Sequence, residues 1–354
     1  MKSRLLIINN GFAIGGIEMS SCSFANYCAE QGFTVAIMSM YGGGKHDIDI
    51  HPSIKVYEPT FYNGKGLMGK ILYHIRLVSY VRKNTKDFTP DVVVAHGEWT
   101  NGVVMLALNG KGIPVYLQDH MNPKAKLDFI HQMLNSRYYP KATGVVALTE
   151  YARKVMKEKY GLTNIIAIPN PIRDLDVEKG KEENSILTVG RLSKEKGHRF
   201  LIEAFKMCEH TGWRLDIVGD GPEKESLVTL ANGDKDIVFH GFQTNINPYL
   251  AKAKIFVLPS LTENFPLALI EAMSVGKACV STNCLAGNDV IAVDGVNGLV
   301  VNKGDSNSMS QAIDKLIKDE ELRDRLSVEA SKIKEELSKE KVYNKYIEFI
   351  SANK

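Results

Sequence analysis

The chain has 354 residues, 44% of them hydrophobic and 24% charged, with a formal net charge of +3. That length allows two domains, and the balance is that of an ordinary globular protein rather than a disordered or fibrous one. No apolar run reaches the roughly 18 residues that a membrane-spanning helix needs.

The N-terminus runs Met1-Lys2-Ser3-Arg4 into Leu5-Leu6-Ile7-Ile8 and then Asn9-Asn10-Gly11. That apolar piece is too short for a signal peptide. Five cysteines, an odd count with no C-x-x-C, read as reduced thiols of a cytosolic protein. The nine histidines show no H-E-x-x-H or other ligand spacing, so no metal site is expected.

In chain order, a strand is predicted at 4–9, then a Gly-rich turn and a helix from Ile17 to Gln31. Strands follow at 33–40 and 54–58. The stretch from Lys65 to Lys86 reads as a basic amphipathic helix, with Lys65, Lys70, Arg76, Arg82, Lys83 and Lys86 beside an apolar stripe of Met68, Ile71, Leu72, Ile75, Val78, Tyr80 and Val81. Residues 1–170 hold 19 Lys and Arg against 12 Asp and Glu, so this half carries +7 and the remainder −4. A basic amphipathic helix can lie on an anionic membrane surface, and it can equally be a plain surface helix with a solvated face. Further strands are expected at Asp91–Ala95, 113–117, 143–148 and 164–168. Pro169-Asn170-Pro171-Ile172 is a stiff break, and the charged run from Asp174 to Asn184 is the expected linker. The pattern then restarts, with strands at Ile186–Gly190, Arg214–Val218, Ile237–Phe239, Ile255–Leu258 and Ala278–Ser281. From Ser306 onward the chain is helical and charged. Short β-rich runs alternating with helices predict two α/β domains, each a parallel sheet with helices on both faces. Ligands of such sheets sit beyond the carboxyl ends of the strands.

Four strand-end segments hold the candidate chemistry. Gly11-Phe12-Ala13-Ile14-Gly15-Gly16-Ile17-Glu18 follows the first strand, and its glycines let the backbone approach a ligand. Its spacing is not G-x-G-x-x-G, which argues against an NAD-dependent dehydrogenase. Gly190-Arg191-Leu192-Ser193-Lys194-Glu195-Lys196-Gly197 follows the first strand of the second half, where Arg191 and Lys196 can converge on a diphosphate. His96 and His120 each end a strand, and a histidine there can donate to a substrate oxygen or take a proton. The fourth segment is Leu261 to Met273. Pro266 sits where a helix begins, and the helix after it is apolar all round except for Glu271 and Ser274. A helix apolar on every face is buried, so Glu271 needs a partner, either a ligand or a nearby Arg or Lys. Glu263 lies just before the same helix start, where free backbone N–H groups bind anions. Two carboxylates bracketing such an end suit a ligand with phosphates and vicinal hydroxyls.

The ordered set of a Gly-Gly turn after the first strand, V-G-R-L-x-x-E-K-G at 189–197 and E-x7-E at 263–271 resembles the family-4 retaining glycosyltransferases. Glu150 in A-L-T-E and Asn170 in I-P-N also match, and the similarity covers essentially the whole chain. The resemblance implies a GT-B fold: two Rossmann-like domains with parallel sheets facing a central cleft. The expected limits are 1–172 for an acceptor-binding domain, 173–336 for a nucleotide-sugar-binding domain and 337–354 for a helix crossing back to the first domain. It assigns Glu271 to the ribose hydroxyls, Glu263 to hydroxyls of the transferred sugar, and Arg191 and Lys196 to the diphosphate. Gly15, Gly16, Gly190, Asn264, Phe265, Pro266 and Leu267 match positions near the phosphates and sugar. Phe242 falls where the base is held, and His120 matches the histidine near the reacting sugar. Asn264 stands where glycine is frequent, and Pro171 replaces the usual glycine after Asn170.

The function implied is metal-independent, retaining transfer from a nucleoside diphosphate sugar, a UDP-sugar by first choice, with no cofactor. A glycan acceptor, lipid-linked in capsule or O-antigen synthesis, is expected, with an anionic membrane surface as partner for 65–86 and no nucleic acid. The expected location is the cytoplasm, peripheral to the membrane face. A sugar-nucleotide epimerase or glycan phosphorylase shares the fold, and a non-catalytic sugar-binding module is a more remote reading.

Overall fold

The computed structural model describes residues 3–13, 15–42, 46–61, 66–173, 175–177, 182–284 and 291–352, without the side chains of Leu67 and Met68. Ile14, Lys65 and Asp174, which figured in the expected turn, basic helix and linker, lie outside the described residues. The chain divides into two compact units, Met1–Pro171 with Glu340–Lys354, and Ile172–Lys339.

The first unit is built as β1 (Arg4–Asn9), α1 (Gly16–Glu30), β2 (Thr34–Ser39), β3 (Lys55–Tyr57), α2 (Gly66–Phe88), β4 (Val92–His96), α3 (Glu98–Leu108), β5 (Val115–Gln118), α4 (Phe129–Tyr138), β6 (Gly144–Ala147), α5 (Glu150–Tyr160) and β7 (Ile165–Ala167). Among the described residues the strands form a parallel seven-stranded sheet in the order β3-β2-β1-β4-β5-β6-β7. Leu5, Leu6, Ile7 and Ile8 are all essentially inaccessible. Such an unbroken apolar run marks a parallel strand covered on both faces.

The second unit repeats the plan. It contains β8 (Ser185–Val189), α6 (His198–Met207), β9 (Arg214–Val218), α7 (Lys224–Ala231), β10 (Ile237–Gly241), α8 (Asn247–Lys252), β11 (Ile255–Leu258), α9 (Leu267–Ser274), β12 (Ala278–Thr282) and β13 (Leu299–Val301). Its sheet runs β10-β9-β8-β11-β12-β13, all parallel. The helices α10 (Ser306–Lys318), α11 (Glu320–Ser331) and α12 (Ile333–Glu336) follow. In both sheets the order reverses beside the first strand, at β1/β4 and at β8/β11, which opens a crevice at the carboxyl ends.

The last helix, α13 (Lys339–Ser351), belongs to the first unit. Tyr343 and Tyr346 lie 5.2 and 4.6 Å, centroid to centroid, from Phe24 of α1, and Phe349 lies 5.4 Å from Tyr116 of β5. All five cysteines are buried, and none is in a disulfide. Among the described residues no helix is long and apolar enough to cross a membrane.

The apolar stripe expected for α2 divides in the structure, with Val81 buried, Val78 and Tyr80 packed partly against the core, and the rest of its described side chains exposed. The buried face is Tyr73, Leu77, Val81 and Phe88, whereas Ile71, Leu72 and Ile75 are 42%, 50% and 60% exposed. The helix has apolar residues on two sides, and spacing alone does not tell which side meets the sheet. Arg82 is also less free than expected, because its Nε donates to the Ala107 carbonyl at 2.9 Å.

Candidate active site in two sheet crevices

In the second unit the β8/β11 reversal sets two loops side by side, 190–197 after β8 and 259–266 after β11. Leu261 N–H donates to the Glu195 carbonyl at 2.8 Å. Gly197 has φ +65°, and a Cβ there would run into the Pro259 carbonyl. Gly219, with φ +148°, lets the turn after β9 pass against the Gly190 carbonyl in the same way. These close approaches need glycine, since a side chain in that backbone region is strained and here also has no room.

The pairing of the loops brings Lys196 and Glu263 together. Lys196 Nζ lies 2.6 Å from Glu263 Oε1, which also accepts from Ser260 Oγ at 2.8 Å. Ser260 is buried, and its carbonyl accepts from Thr282 Oγ1, so the carboxylate is held from below by β12. Arg191 is exposed at the mouth of the same loop. Cation and carboxylate neutralise each other, and a diphosphate would compete with Glu263 for Lys196.

Pro266 is buried and α9 starts at Leu267, as its sequence implied. The first-turn amides of such a helix lack intrahelical acceptors. Leu269 to Ser274 are buried, Glu271 among them at 7% exposure. Its partner is Arg173, whose Nη2 donates to Oε2 at 3.0 Å while Nε contacts Oε1. Burial raises the Glu271 carboxyl above its ordinary value, and Arg173 opposes that shift. The alternative of a nearby arginine is thus realised, and ribose hydroxyls could still approach the same oxygens. Phe242, 66% exposed just after β10, presents a free aromatic face. Phe265 packs partly against the core. Asn264 does not adopt a positive φ; among the described non-glycine residues only Thr89 and Asn232 do, so this loop makes no demand for glycine there.

In the first unit Gly15 caps α1 and Gly16 is its first residue. At the end of β5, His120 Nε2 lies 3.2 Å from His96 Nδ1, one ring donating to the other. Burial pushes His120 down to about 3 and His96 well below the usual histidine range, so both rings are neutral at pH 7. A neutral His120 can orient a hydroxyl more readily than act as a cation. Glu150 pairs with Arg153 at 2.7 Å, and Asn170 accepts from Ser20 Oγ at 2.8 Å.

Several residues were missed in the sequence. Buried Glu98 takes the His120 N–H at 2.6 Å on Oε1, together with that of Met121, and so fixes the backbone carrying His120. Asp119 Oδ1 accepts from Tyr139 OH at 2.6 Å and Asn101 Nδ2 at 2.8 Å. Burial raises both carboxyls, with each other's proximity adding to the shift of Asp119. In the second unit His198 is buried behind Gly190, pushed down to about 4 by burial and by Lys196. Glu98-Trp99 and Gln118-Asp119-His120 lie at strand ends, but nothing in their spacing ties them together. Among the described residues no cluster of three or more His, Cys, Asp or Glu could hold a metal ion.

Comparison with known proteins fits this layout. The sequence model described as Glycosyltransferase Family 4 matches residues 14–174, and that of Glycosyl transferases group 1 matches 173–333. An uncharacterized glycosyltransferase of Haemophilus influenzae is 29% identical over 98% of both chains. A Campylobacter jejuni alpha-1,4-N-acetyl-D-galactosaminyltransferase, named for a PP-undecaprenol-linked acceptor, is 24% identical over 88% of both. Anabaena HepE, solved with UDP, has a TM-score of 0.81 at 19% identity and covers 99% of this chain and 100% of its own. With two Rossmann-like domains of the GT-B type and two consecutive glycosyltransferase models that together span residues 14–333, the chain resembles the family-4 glycosyltransferases.

Proposed function

We propose that this glycosyltransferase moves a sugar, with retention, from a UDP-sugar to a lipid-linked glycan in the synthesis of a cell-surface polysaccharide. The observation that carries the reading is the convergence of Lys196 and Glu263, 2.6 Å apart at the sheet reversal beside α9. It supplies a cation for a diphosphate and a carboxylate for sugar hydroxyls at one place. In the reaction, the bond from the anomeric carbon to the diphosphate oxygen breaks and negative charge builds on the leaving diphosphate. Arg191, Lys196 and the first-turn amides of α9 stabilise that charge. The acceptor oxygen bonds to the anomeric carbon on the face that the diphosphate leaves, the donor phosphate takes the proton of that hydroxyl, and His120 orients the sugar. Glu271 holds the ribose, and Phe242 the base. Transfer without a metal is part of this proposal. The PP-undecaprenol name of the Campylobacter relative and the UDP of the Anabaena structure support the choice of acceptor and donor class.

The test is to supply UDP-, GDP- and ADP-sugars with lipid-linked glycan acceptors and read the anomeric configuration of the product by NMR. Retention from a UDP-sugar is expected. Isomerisation of donor alone would mean an epimerase, and phosphate-dependent release of sugar phosphate a phosphorylase. In the same proposal the basic stretch of α2 rests on an anionic membrane surface at the cytoplasmic face.

A further inference from the structure

A groove of about 560 Å³ lies between α4, α5 and the loop 123–127, and it contains Lys124, Lys126, Lys159 and Gln132. One carboxylate, Glu158, lines it as well. None of the three lysines is in an ion pair with a described residue: Lys124 lies 5.6 Å from the centroid of the Tyr151 ring, and Lys159 reaches the Pro123 carbonyl at 3.4 Å. Unneutralised lysines on a concave wall suit a phosphate group. The groove shares its Pro123–Leu127 wall and Lys159 with a smaller cavity lined by Glu98, Asp119 and Met121. Met121, at the peptide that follows His120, lines that smaller cavity.

On α4, Phe129 is the neighbour, three residues before, of Gln132 at the groove, and, four residues before, of Met133. Phe129 is 80% exposed and Met133 52%. One turn apart, the two side chains make a small exposed apolar patch. A cationic groove with an apolar strip at its edge matches an amphiphile bearing a phosphorylated head.

We propose that this groove binds the phosphate or diphosphate head of the acceptor through Lys124, Lys126 and Lys159, while the acceptor's hydrocarbon chain lies along Phe129 and Met133. The proposal rests on the reading of the acceptor as lipid-linked and names where its head sits. The phosphates then lie in the groove and the glycan extends along the loop toward His120.

The experiment titrates the full chain with farnesyl diphosphate, inorganic pyrophosphate and farnesol, without vesicles or nucleotide. Wild type should bind farnesyl diphosphate about tenfold or more tightly than pyrophosphate. Lys124→Glu with Lys126→Glu should weaken farnesyl diphosphate by about tenfold or more. Phe129→Ser with Met133→Ser should remove its advantage over pyrophosphate. Melting temperature and UDP affinity should stay at wild-type values in both pairs. Equal binding of farnesyl diphosphate and pyrophosphate by wild type would overturn the proposal, as would wild-type affinity in the lysine pair. Phosphatidylglycerol vesicles form a separate arm: if they bind through the same lysines while farnesyl diphosphate does not bind at all, the groove reads membrane headgroups and the proposal fails. Donor titrations on the same samples separate the two readings. Loss of the groove with donor binding intact contradicts this proposal alone, whereas farnesyl diphosphate binding without donor binding contradicts the transferase reading of the second unit.

Discussion

At the residue scale, the second unit's chemistry depends on ion pairs between distant positions. Lys196 meets Glu263 across 67 residues, and Arg173 meets Glu271 across 98. Sequence motifs located three of these four groups, because strand ends and a charge on an apolar helix are local signals. Arg173 was missed, since a tertiary partner has no fixed spacing. The pairs change what truncation should do. Arg191→Ala should lower kcat/KM by about 10²–10³-fold, the scale of one preorganised stabilising group, with no change in melting temperature. Lys196→Ala should lose as much activity and also melt earlier, because Glu263, its side chain 10% exposed, keeps Ser260 alone as a hydrogen-bond partner among the described residues. Adding Glu263→Gln should restore the melting temperature but not turnover, and a double variant melting no higher than Lys196→Ala would refute this reading of the pair. Arg173→Met leaves Glu271 ionised without its cation. Arg173 is 42% exposed, so the cost at pH 7 should be about 2 kcal/mol, below the ~3–5 kcal/mol of a fully buried pair. Removing Arg173 raises the Glu271 carboxyl further, and protonation then relieves the penalty. The deficit against wild type should shrink as pH falls toward 5, and urea unfolding at pH 7 and 5 measures it. A deficit independent of pH would exclude an uncompensated carboxylate.

At the scale of elements, strand positions were largely legible because parallel strands are continuous apolar runs, and β9 and β11 lie where they were expected. The three-residue β13 was not, being too short to carry a period. The side of α2 that packs on the sheet was not legible, because apolar residues occur on both its faces and only the sheet decides between them. The polar junction of β5, α3 and α4 was equally invisible, since Glu98, Asp119 and Tyr139 come from three separate segments. Asp119 makes a prediction for this junction. Its folded pKa is raised, so the folded state holds a proton that the unfolded chain releases more easily. Stability is therefore full at low pH and is lost as pH rises through the folded value. Asp119→Asn keeps the acceptor oxygen for Tyr139 and Asn101 and cannot ionise. Its stability relative to wild type should increase between pH 5 and pH 9, as followed by chemical denaturation. A constant difference across that range would show that Asp119 has the same pKa folded and unfolded.

At the scale of the molecule, the same α/β plan is written twice, with the excess positive charge in the first half. Charge distribution is readable from sequence, but which basic residues are free to meet a surface is not. Lys70, Arg76 and Lys83 are exposed, whereas Arg82 is engaged with α3. Binding to anionic vesicles should therefore fall with salt, each basic residue near the surface adding about 1 kcal/mol. Changing Lys70, Arg76 and Lys83 to Glu should abolish it without altering nucleotide affinity, and salt-independent vesicle binding would contradict an electrostatic contact. On the proposed function, the second unit grips a nucleoside diphosphate sugar around α9. That claim is tested most directly by calorimetric titration of the full chain with UDP-, GDP- and ADP-sugars and the free nucleotides. At least one donor should bind, UDP-sugars by first choice. Glu271→Gln should weaken donor and free nucleotide alike by about 1.5–3 kcal/mol, while Glu263→Gln should weaken the donor more than the nucleotide. No binding of any donor, or equal affinity for wild type and both glutamate variants, would contradict the account.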